Sequence, residues 1–217
     1  AIQGYYGDEK LAAEKIYGLS PKSEHLHYLL TRLINLQEQK LTFDFNKKSI
    51  PEIKANIKDS IDIPTYDWIV KIAQEEKTSK NYLWHLAAGY LQTLQGNFDF
   101  ANTAYAKAEQ QMPPTPLAKS QLRLLRFMNQ WLALNSIKNT DETALLSDMQ
   151  WLYVDCVKKA PENFRFSGPS SISKAFLSVL YAKQGNVVMS ELFDSKSGFY
   201  GNVEQLNAMK SFLSKPN

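Results

Sequence analysis

Apolar residues recur at steps of three and four along almost the whole chain, and glycines and prolines separate the runs. This spacing is typical of amphipathic helices, because it places the apolar side chains on one face. The pattern predicts helix over at least about 60% of the chain and almost no sheet. The predicted helices cover residues 8–19, 49–60, 65–76, 81–95, 98–112, 116–138, 170–184, 187–193 and 202–213.

Turn and cap residues mark the ends of these helices. Gly96 is the predicted left-handed terminator of helix 81–95, since glycine adopts that conformation without a steric penalty, and Gly185 is predicted to end helix 170–184. Thr115 is predicted to cap the following long helix, with Pro116 at its first position. The other predicted caps are Ser20, followed by Pro21, and Asn139, with Glu142 as its capping-box partner.

Three stretches depart from a simple amphipathic helix. Residues 41–45 alternate with a period of two, and an extended connector is favoured over a strand because no partner strand is evident. Helix 116–138 is apolar around most of its circumference, which predicts packing on several sides. The helix after Asn139 is predicted to have an apolar, inward-facing seam made of Leu145, Met149, Leu152 and Cys156. Trp151 is predicted to lie roughly on the opposite side of that helix.

The segment 84–113 resembles a tetratricopeptide repeat, a motif of two antiparallel helices with small residues at their crossing. Gly96 matches the turn, Tyr105 the aromatic of the second helix and Pro113 the closing proline. The remaining matches are the small residues Gly89, Ala101 and Ala108, and Trp84, which fits only if the first helix carries one extra residue.

A weaker second copy follows, because Gln95-Gly96-Asn97 recurs as Gln184-Gly185-Asn186. Leu177, Ser178, Tyr181 and Ser190 fall at motif positions around it. The resemblance implies one all-α domain over residues 1–217, built as a tetratricopeptide-like solenoid of stacked hairpins. The absence of an initial Met and the end at Asn217, just after a helical pattern, lead us to expect that this domain is a fragment of a longer chain. A globular helical bundle is the alternative, since small and aromatic residues also meet where bundle helices cross.

Composition narrows the function classes. A net charge of +3 and a pI near 8.8 are too mild to favour a nucleic-acid binder. No run of about 20 apolar residues is present, so no transmembrane segment is predicted. The chain does not begin with Met, so we expect either a trimmed chain or a removed leader, which would place it in a bacterial periplasm or cell envelope.

No residue pattern in the sequence indicates catalysis. His25 and His27 are two residues apart, whereas metal-binding pairs on a helix are spaced by three or four. Cys156 lies on an apolar seam, where a cysteine behaves as a small hydrophobic residue. The sequence therefore predicts no catalytic residue, no metal and no cofactor.

The polar remainder of helix 116–138 is the predicted binding surface. Its charged and amide side chains step by four, three and four along one stripe, and arginine holds carboxylates with paired hydrogen bonds. Side chains on the preceding first helix, and Trp151 as an aromatic anchor, are expected to extend the surface. The candidate groove residues are Lys119, Arg123, Arg126, Gln130, Tyr82, His85, Gln92 and Trp151.

These features predict a non-catalytic interaction or scaffold module that binds a protein or peptide. Simpler interpretations of the candidate groove residues stay open. The polar stripe on helix 116–138 can be an ordinary solvated face, and Trp151 can pack against a neighbouring hairpin. The alternative function is a structural accessory domain of a larger envelope protein, and an enzyme or a nucleic-acid binder ranks last.

Overall fold

The computed structural model describes residues 8–45, 49–194 and 203–215, and all statements below concern these residues. Helices cover 78% of them and no strand is present among them, which confirms the all-α prediction. Residues 41–45 form neither helix nor strand, as expected of a connector. The helices are α1 (Glu9–Leu19), α2 (His25–Lys40), α3 (Ile50–Asp59), α4 (Ile63–Glu75), α5 (Asn81–Leu94), α6 (Phe98–Gln111), α7 (Pro116–Ala133), α8 (Asn139–Gln150), α9 (Cys156–Lys159), α10 (Ser167–Lys183), α11 (Val187–Asp194) and α12 (Val203–Leu213), and a π-helical turn (Trp151–Asp155) joins α8 to α9.

Side-chain caps begin several of these helices. The Asp8 carboxylate accepts a hydrogen bond from Leu11 N (2.9 Å) at the start of α1, and Asp62 accepts one from Thr65 N (3.1 Å) at α4. Thr115 caps α7 as predicted, because its hydroxyl accepts from Ala118 N at 3.2 Å. These bonds satisfy amides of the first helical turn that have no partner within the helix.

The two predicted turn glycines both end a helix in the same way. Gly96 and Gly185 have φ of 79° and 74°, the left-handed conformation that glycine tolerates. The amides of Gly96 and Asn97 bond back to the last turn of α5, a Schellman arrangement. Asn186 N likewise bonds back to Tyr181 O at 2.9 Å.

Contacts within the chain group it into two compact units. The first consists of the described residues of Ala1–Phe43 and Lys54–Ala133, with α5 at its centre. Ten residues of α5 are buried, and Trp84 packs edge-to-face on Trp68 with ring centroids 5.4 Å apart. Burial of this apolar and aromatic surface is the main stabilising contribution to the unit.

The second unit consists of the described residues of Asp44–Ile53 and Leu134–Asn217. Phe176 of α10 is fully buried, and its ring lies 6.4 Å from that of Phe45. Three residues of the predicted seam, Leu145, Leu152 and Cys156, are buried here, and the fourth, Met149, is half-buried. Both units contain a hairpin with a Gln-Gly-Asn turn, α5–α6 in the first and α10–α11 in the second.

Several predicted boundaries were wrong. Helix α2 begins at His25, not at Pro21, which lies in a turn. Helix α7 ends at Ala133, not near Lys138. The capping contact of α8 runs from Lys138 N to the Asp141 carboxylate (2.9 Å) instead of involving Asn139 and Glu142. Helix α10 begins at Ser167, earlier than predicted. The predicted start of the last helix, Asn202, lies outside the described residues.

Candidate functional site

Helix α7 has one polar face. Lys119 and Gln130 are exposed and Arg123 and Arg126 are half-buried, while apolar side chains bury the other sides of the helix. Phe127 is fully buried, and Trp131 and Leu132 are each 2% exposed. The packed sides fix the helix in place, so the polar face has a defined direction. We call Lys119, Arg123, Arg126 and Gln130 the α7 polar face.

One arginine of the α7 polar face already holds a carboxylate. Arg126 donates from Nη1 to Glu109 Oε1 (3.0 Å) and from Nη2 to Glu109 Oε2 (2.7 Å), a bidentate pair between α7 and α6. The hydrogen bond from Arg126 lowers the pKa of Glu109. Planar two-point binding of this kind is specific for carboxylates and phosphates.

The predicted groove residues on α5 are not arranged as an open surface. Tyr82 is half-buried and packs against a core cluster that includes Leu122 and Leu125 of α7. Gln92 is 9% exposed, and its Oε1 accepts from Tyr66 Oη at 2.8 Å and from Asn97 Nδ2 at 2.9 Å. These contacts stabilise the first unit and leave Gln92 little capacity to bind a partner.

His85 is also buried, at 3% exposure, which corrects its expected position in the groove. Its Nε2 lies 2.8 Å from Glu76 Oε1, and Lys107 Nζ lies 3.4 Å from the same oxygen. Burial lowers the pKa of His85, and the neighbouring Glu76 partly opposes that shift. The hydrogen bond from His85 in turn lowers the pKa of Glu76. Glu76 adopts the left-handed conformation (φ 52°), and Asn81 Nδ2 donates to its carbonyl at 2.9 Å.

Trp151 belongs to the second unit and opens the π-helical turn. It is half-buried, and its ring lies 5.8 Å from that of Phe164, which in turn stacks on Phe166 at 6.2 Å. Phe164 lies in the connection between α9 and α10, so this contact is with that connection, and packing of Trp151 against a neighbouring hairpin stays a prediction.

A small cleft beside the Gly96 turn was not predicted. It encloses about 130 Å³ and is lined mainly by apolar side chains of α3, α5 and α7 together with Lys54 and Phe98. Lys54 Nζ donates to Ala133 O (3.2 Å) and lies 5.8 Å from the centre of the Phe98 ring. Burial lowers the pKa of Lys54 to about 8. No sequence signal joins Lys54 to these residues, because they are distant along the chain.

The two histidines at the start of α2 have different surroundings. His25 is exposed, whereas His27 contacts Glu24 through Nδ1 at 3.2 Å and Ser79 through Nε2 at 3.3 Å. Ser79 lies in the connection between α4 and α5, so the sequence spacing of the histidines gave no indication of this contact.

The described residues contain no group of three or more His, Cys, Asp or Glu side chains placed to hold a metal ion. Among the same residues, no helix is long and apolar enough to cross a membrane. Comparison with protein-family models, with curated proteins and with solved structures found no match to this chain.

Proposed function

We propose that this chain is a protein-interaction module whose α7 polar face binds an acidic segment of a partner protein. The observation that carries the proposal is the bidentate pair between Arg126 and Glu109. A partner carboxylate can replace Glu109 in the same geometry, because the guanidinium already presents both donors in one plane.

Replacement of Glu109 costs little free energy. The side chains of Arg126 and Glu109 are 34% and 54% exposed. Exposed ion pairs of this kind contribute about 0–1 kcal/mol to stability, since water solvates both partners when they separate. A partner that adds further contacts to Lys119 and Gln130 can therefore displace Glu109 from Arg126.

We further propose that hairpins α5–α6 and α10–α11 are tetratricopeptide-like repeat units. Small residues lie at both crossings: Ala101 and Ala108 are fully buried, and Ser178 Oγ and Ser190 Oγ lie 3.1 Å apart. Close approach of two helices needs small side chains at the crossing, as that repeat family requires. Repeat units of this kind present surfaces suited to binding a protein segment.

The proposal is tested by measuring binding of a fluorescent glutamate-rich peptide to the full chain by anisotropy, with a glutamine analogue as the neutral reference. Arg123→Ala with Arg126→Ala is expected to weaken binding about tenfold, because two exposed charge pairs of up to about 1 kcal/mol each together reach the roughly 1.4 kcal/mol of a tenfold change. Lys158→Ala with Lys159→Ala, which removes the same charge from α9, is the matched control.

Glu109→Gln provides a second and opposite test. It removes the internal competitor for Arg126 and is expected to tighten peptide binding. If the arginine variant and Glu109→Gln both bind the peptide with unchanged affinity, the α7 polar face is an ordinary solvated surface. That result would contradict the proposal and favour the accessory-domain interpretation.

A further inference from the structure

Contacts with two other helices hold Lys54 of α3 at the cleft beside Gly96. Its Nζ donates to Ala133 O at 3.2 Å. Ala133 is the last residue of α7, and carbonyls in the last turn of a helix lack a donor within that helix, so this contact caps α7. The same Nζ lies 5.8 Å from the centre of the Phe98 ring, which also lines the cleft. The amine therefore has a defined position at the cleft wall.

The cleft is small and mostly apolar. Its aliphatic lining comes from Ala55, Ile57, Leu94 and Leu132. Its volume of about 130 Å³ is close to that of an apolar cavity of about 150 Å³ that binds benzene. A molecule of about four to six carbon atoms therefore fits in it. Such a molecule gains free energy there mainly by removing its own apolar surface from water.

The polar side chains at the cleft are hydrogen-bonded within the chain. Thr93 Oγ1 donates to Asn129 Oδ1 at 2.8 Å, and Gln95 Nε2 donates to the Lys58 carbonyl at 3.1 Å. Among the described residues that line the cleft, Lys58 is the other charged one, and it is exposed. Lys54 is half-buried, so its amine is the ionisable group in contact with the apolar lining.

Burial makes the Lys54 amine a nucleophile near neutral pH. An apolar environment disfavours the ammonium form, which lowers the pKa of Lys54 to about 8. About one such amine in ten is then neutral at pH 7, compared with fewer than about one in a thousand for an ordinary lysine with a pKa of about 10.4. Only the neutral amine has the lone pair that attacks a carbonyl carbon.

We propose that Lys54 reversibly captures small apolar aldehydes as imines, with the alkyl chain of the aldehyde in the cleft. The imine is neutral, so the apolar lining that disfavours the ammonium group accommodates the product. This reactivity goes beyond the proposed binding function and does not depend on it, because none of the four residues of the α7 polar face lines the cleft.

The reaction needs only the Lys54 amine, the aldehyde and proton transfer through water. The Nζ lone pair attacks the carbonyl carbon, the π electrons of the C=O bond move to oxygen, and a proton passes from nitrogen to that oxygen to give a carbinolamine. The nitrogen lone pair then forms the C=N bond while the hydroxyl group takes a proton and leaves as water. Loss of the remaining proton from nitrogen gives the neutral imine. One aldehyde is bound and one water is released, with no oxidant or reductant consumed.

The test incubates the full chain with butanal and sodium cyanoborohydride, which reduces an imine to a stable secondary amine. Peptide mass spectrometry then locates the butyl groups and measures how fast each lysine acquires them. At pH 7 we expect Lys54 to be labelled at least about tenfold faster than Lys58, which lies at the same cleft but is exposed. With formaldehyde, which has no alkyl chain to enter the cleft, this preference should fall severalfold.

Ala55→Leu examines whether the cleft holds the alkyl chain. Ala55 lines the cleft and is exposed, so a leucine there narrows the cleft without entering the core. We expect labelling of Lys54 by butanal to slow severalfold while that of Lys58 is unchanged. Ala106→Leu, the same substitution at an exposed position of α6 away from the cleft, is the matched control and should leave both rates unchanged. Equal labelling of Lys54 and Lys58, an equal preference with formaldehyde, or unchanged labelling of Lys54 in Ala55→Leu would overturn the proposal.

Discussion

The ring of Tyr105 on α6 occupies the space beside Gly89 on α5. A Cβ placed on Gly89 would lie 2.7 Å from Cδ1 of that ring, closer than real Cβ contacts come. Tyr105 is fully buried, and its hydroxyl is hydrogen-bonded to Thr93 Oγ1 at 3.0 Å. Thr93 also donates to Asn129 Oδ1 (2.8 Å), so the ring is held by α5 and, through Thr93, by α7.

Gly89→Ala is therefore expected to destabilise the first unit. The added methyl group must displace a ring that is fixed on several sides, and overpacking of this kind costs about 1–3 kcal/mol. Urea unfolding followed by circular dichroism measures the change. Gly18→Ala in the last turn of α1 is the control, because nothing lies within 4 Å of its added Cβ. Equal stability of both variants would contradict this account of the crossing.

A second substitution examines the same crossing from α6. Ala101 is fully buried, whereas Ala106 on the same helix is exposed. Ala101→Leu should cost about 1–3 kcal/mol, since three extra carbon atoms must enter a packed interface. Ala106→Leu should change the free energy of unfolding by less than about 0.5 kcal/mol. A similar unfolding midpoint for the two leucine variants would show that Ala101 does not lie at a tight crossing.

Local sequence signals predicted the hairpins well. Gly96 and Gly185 were identified because only a short list of residues tolerates the left-handed turn. The spacing also predicts a buried stripe on α2 made of Leu26, Leu29, Leu30, Leu33 and Leu36; Leu26, Leu30 and Leu33 are buried, whereas Leu29 and Leu36 are half-buried. Each of these features depends on neighbours within a few residues along the chain, and spacing reports on such neighbours directly.

Features that depend on distant residues were missed. The pattern extended α7 past Ala133 because Leu134 and Ile137 continue its apolar spacing, but the Gln184 side chain holds Ile137 in a connector. The contact between His27 and Ser79 joins two elements far apart in sequence. His85 was assigned to a surface because its pairing with Glu76 is invisible to helical spacing.

The amide of Gln184 gives a prediction for the second unit. Its Oε1 accepts from Ile137 N at 2.7 Å and its Nε2 donates to Ile137 O at 2.9 Å, which satisfies both backbone groups of Ile137. Gln184→Glu keeps an acceptor but loses the donor and places a negative charge near a carbonyl, so we expect a loss of about 1–3 kcal/mol. This loss is measured as reduced protection of the Ile137 amide against hydrogen exchange, with the amides of α5 in the first unit as the internal reference. Unchanged protection of Ile137 would mean that its hydrogen bonds contribute little.

The pairing of His85 with Glu76 gives a prediction about pH. Burial lowers the pKa of His85 below the ordinary value of about 6.5, against the opposing effect of Glu76. The unfolded chain therefore binds a proton at a pH where the folded chain does not. Stability due to His85 is complete above pH 6.5 and is lost as the pH falls toward the folded pKa.

His85→Gln should separate this contribution from that of the carboxylates. The variant keeps an amide donor for Glu76 but cannot titrate, so its free energy of unfolding should vary less between pH 7.5 and pH 5 than that of the unmodified chain. The carboxylates whose pKa is lowered, Glu76 among them, begin to lose their contribution only below about pH 4.5. Urea unfolding at steps of half a pH unit would measure both curves. Parallel curves over this range would show that His85 takes up its proton equally well in the folded and unfolded chain, and that its burial beside Glu76 and Lys107 has no effect on its charge.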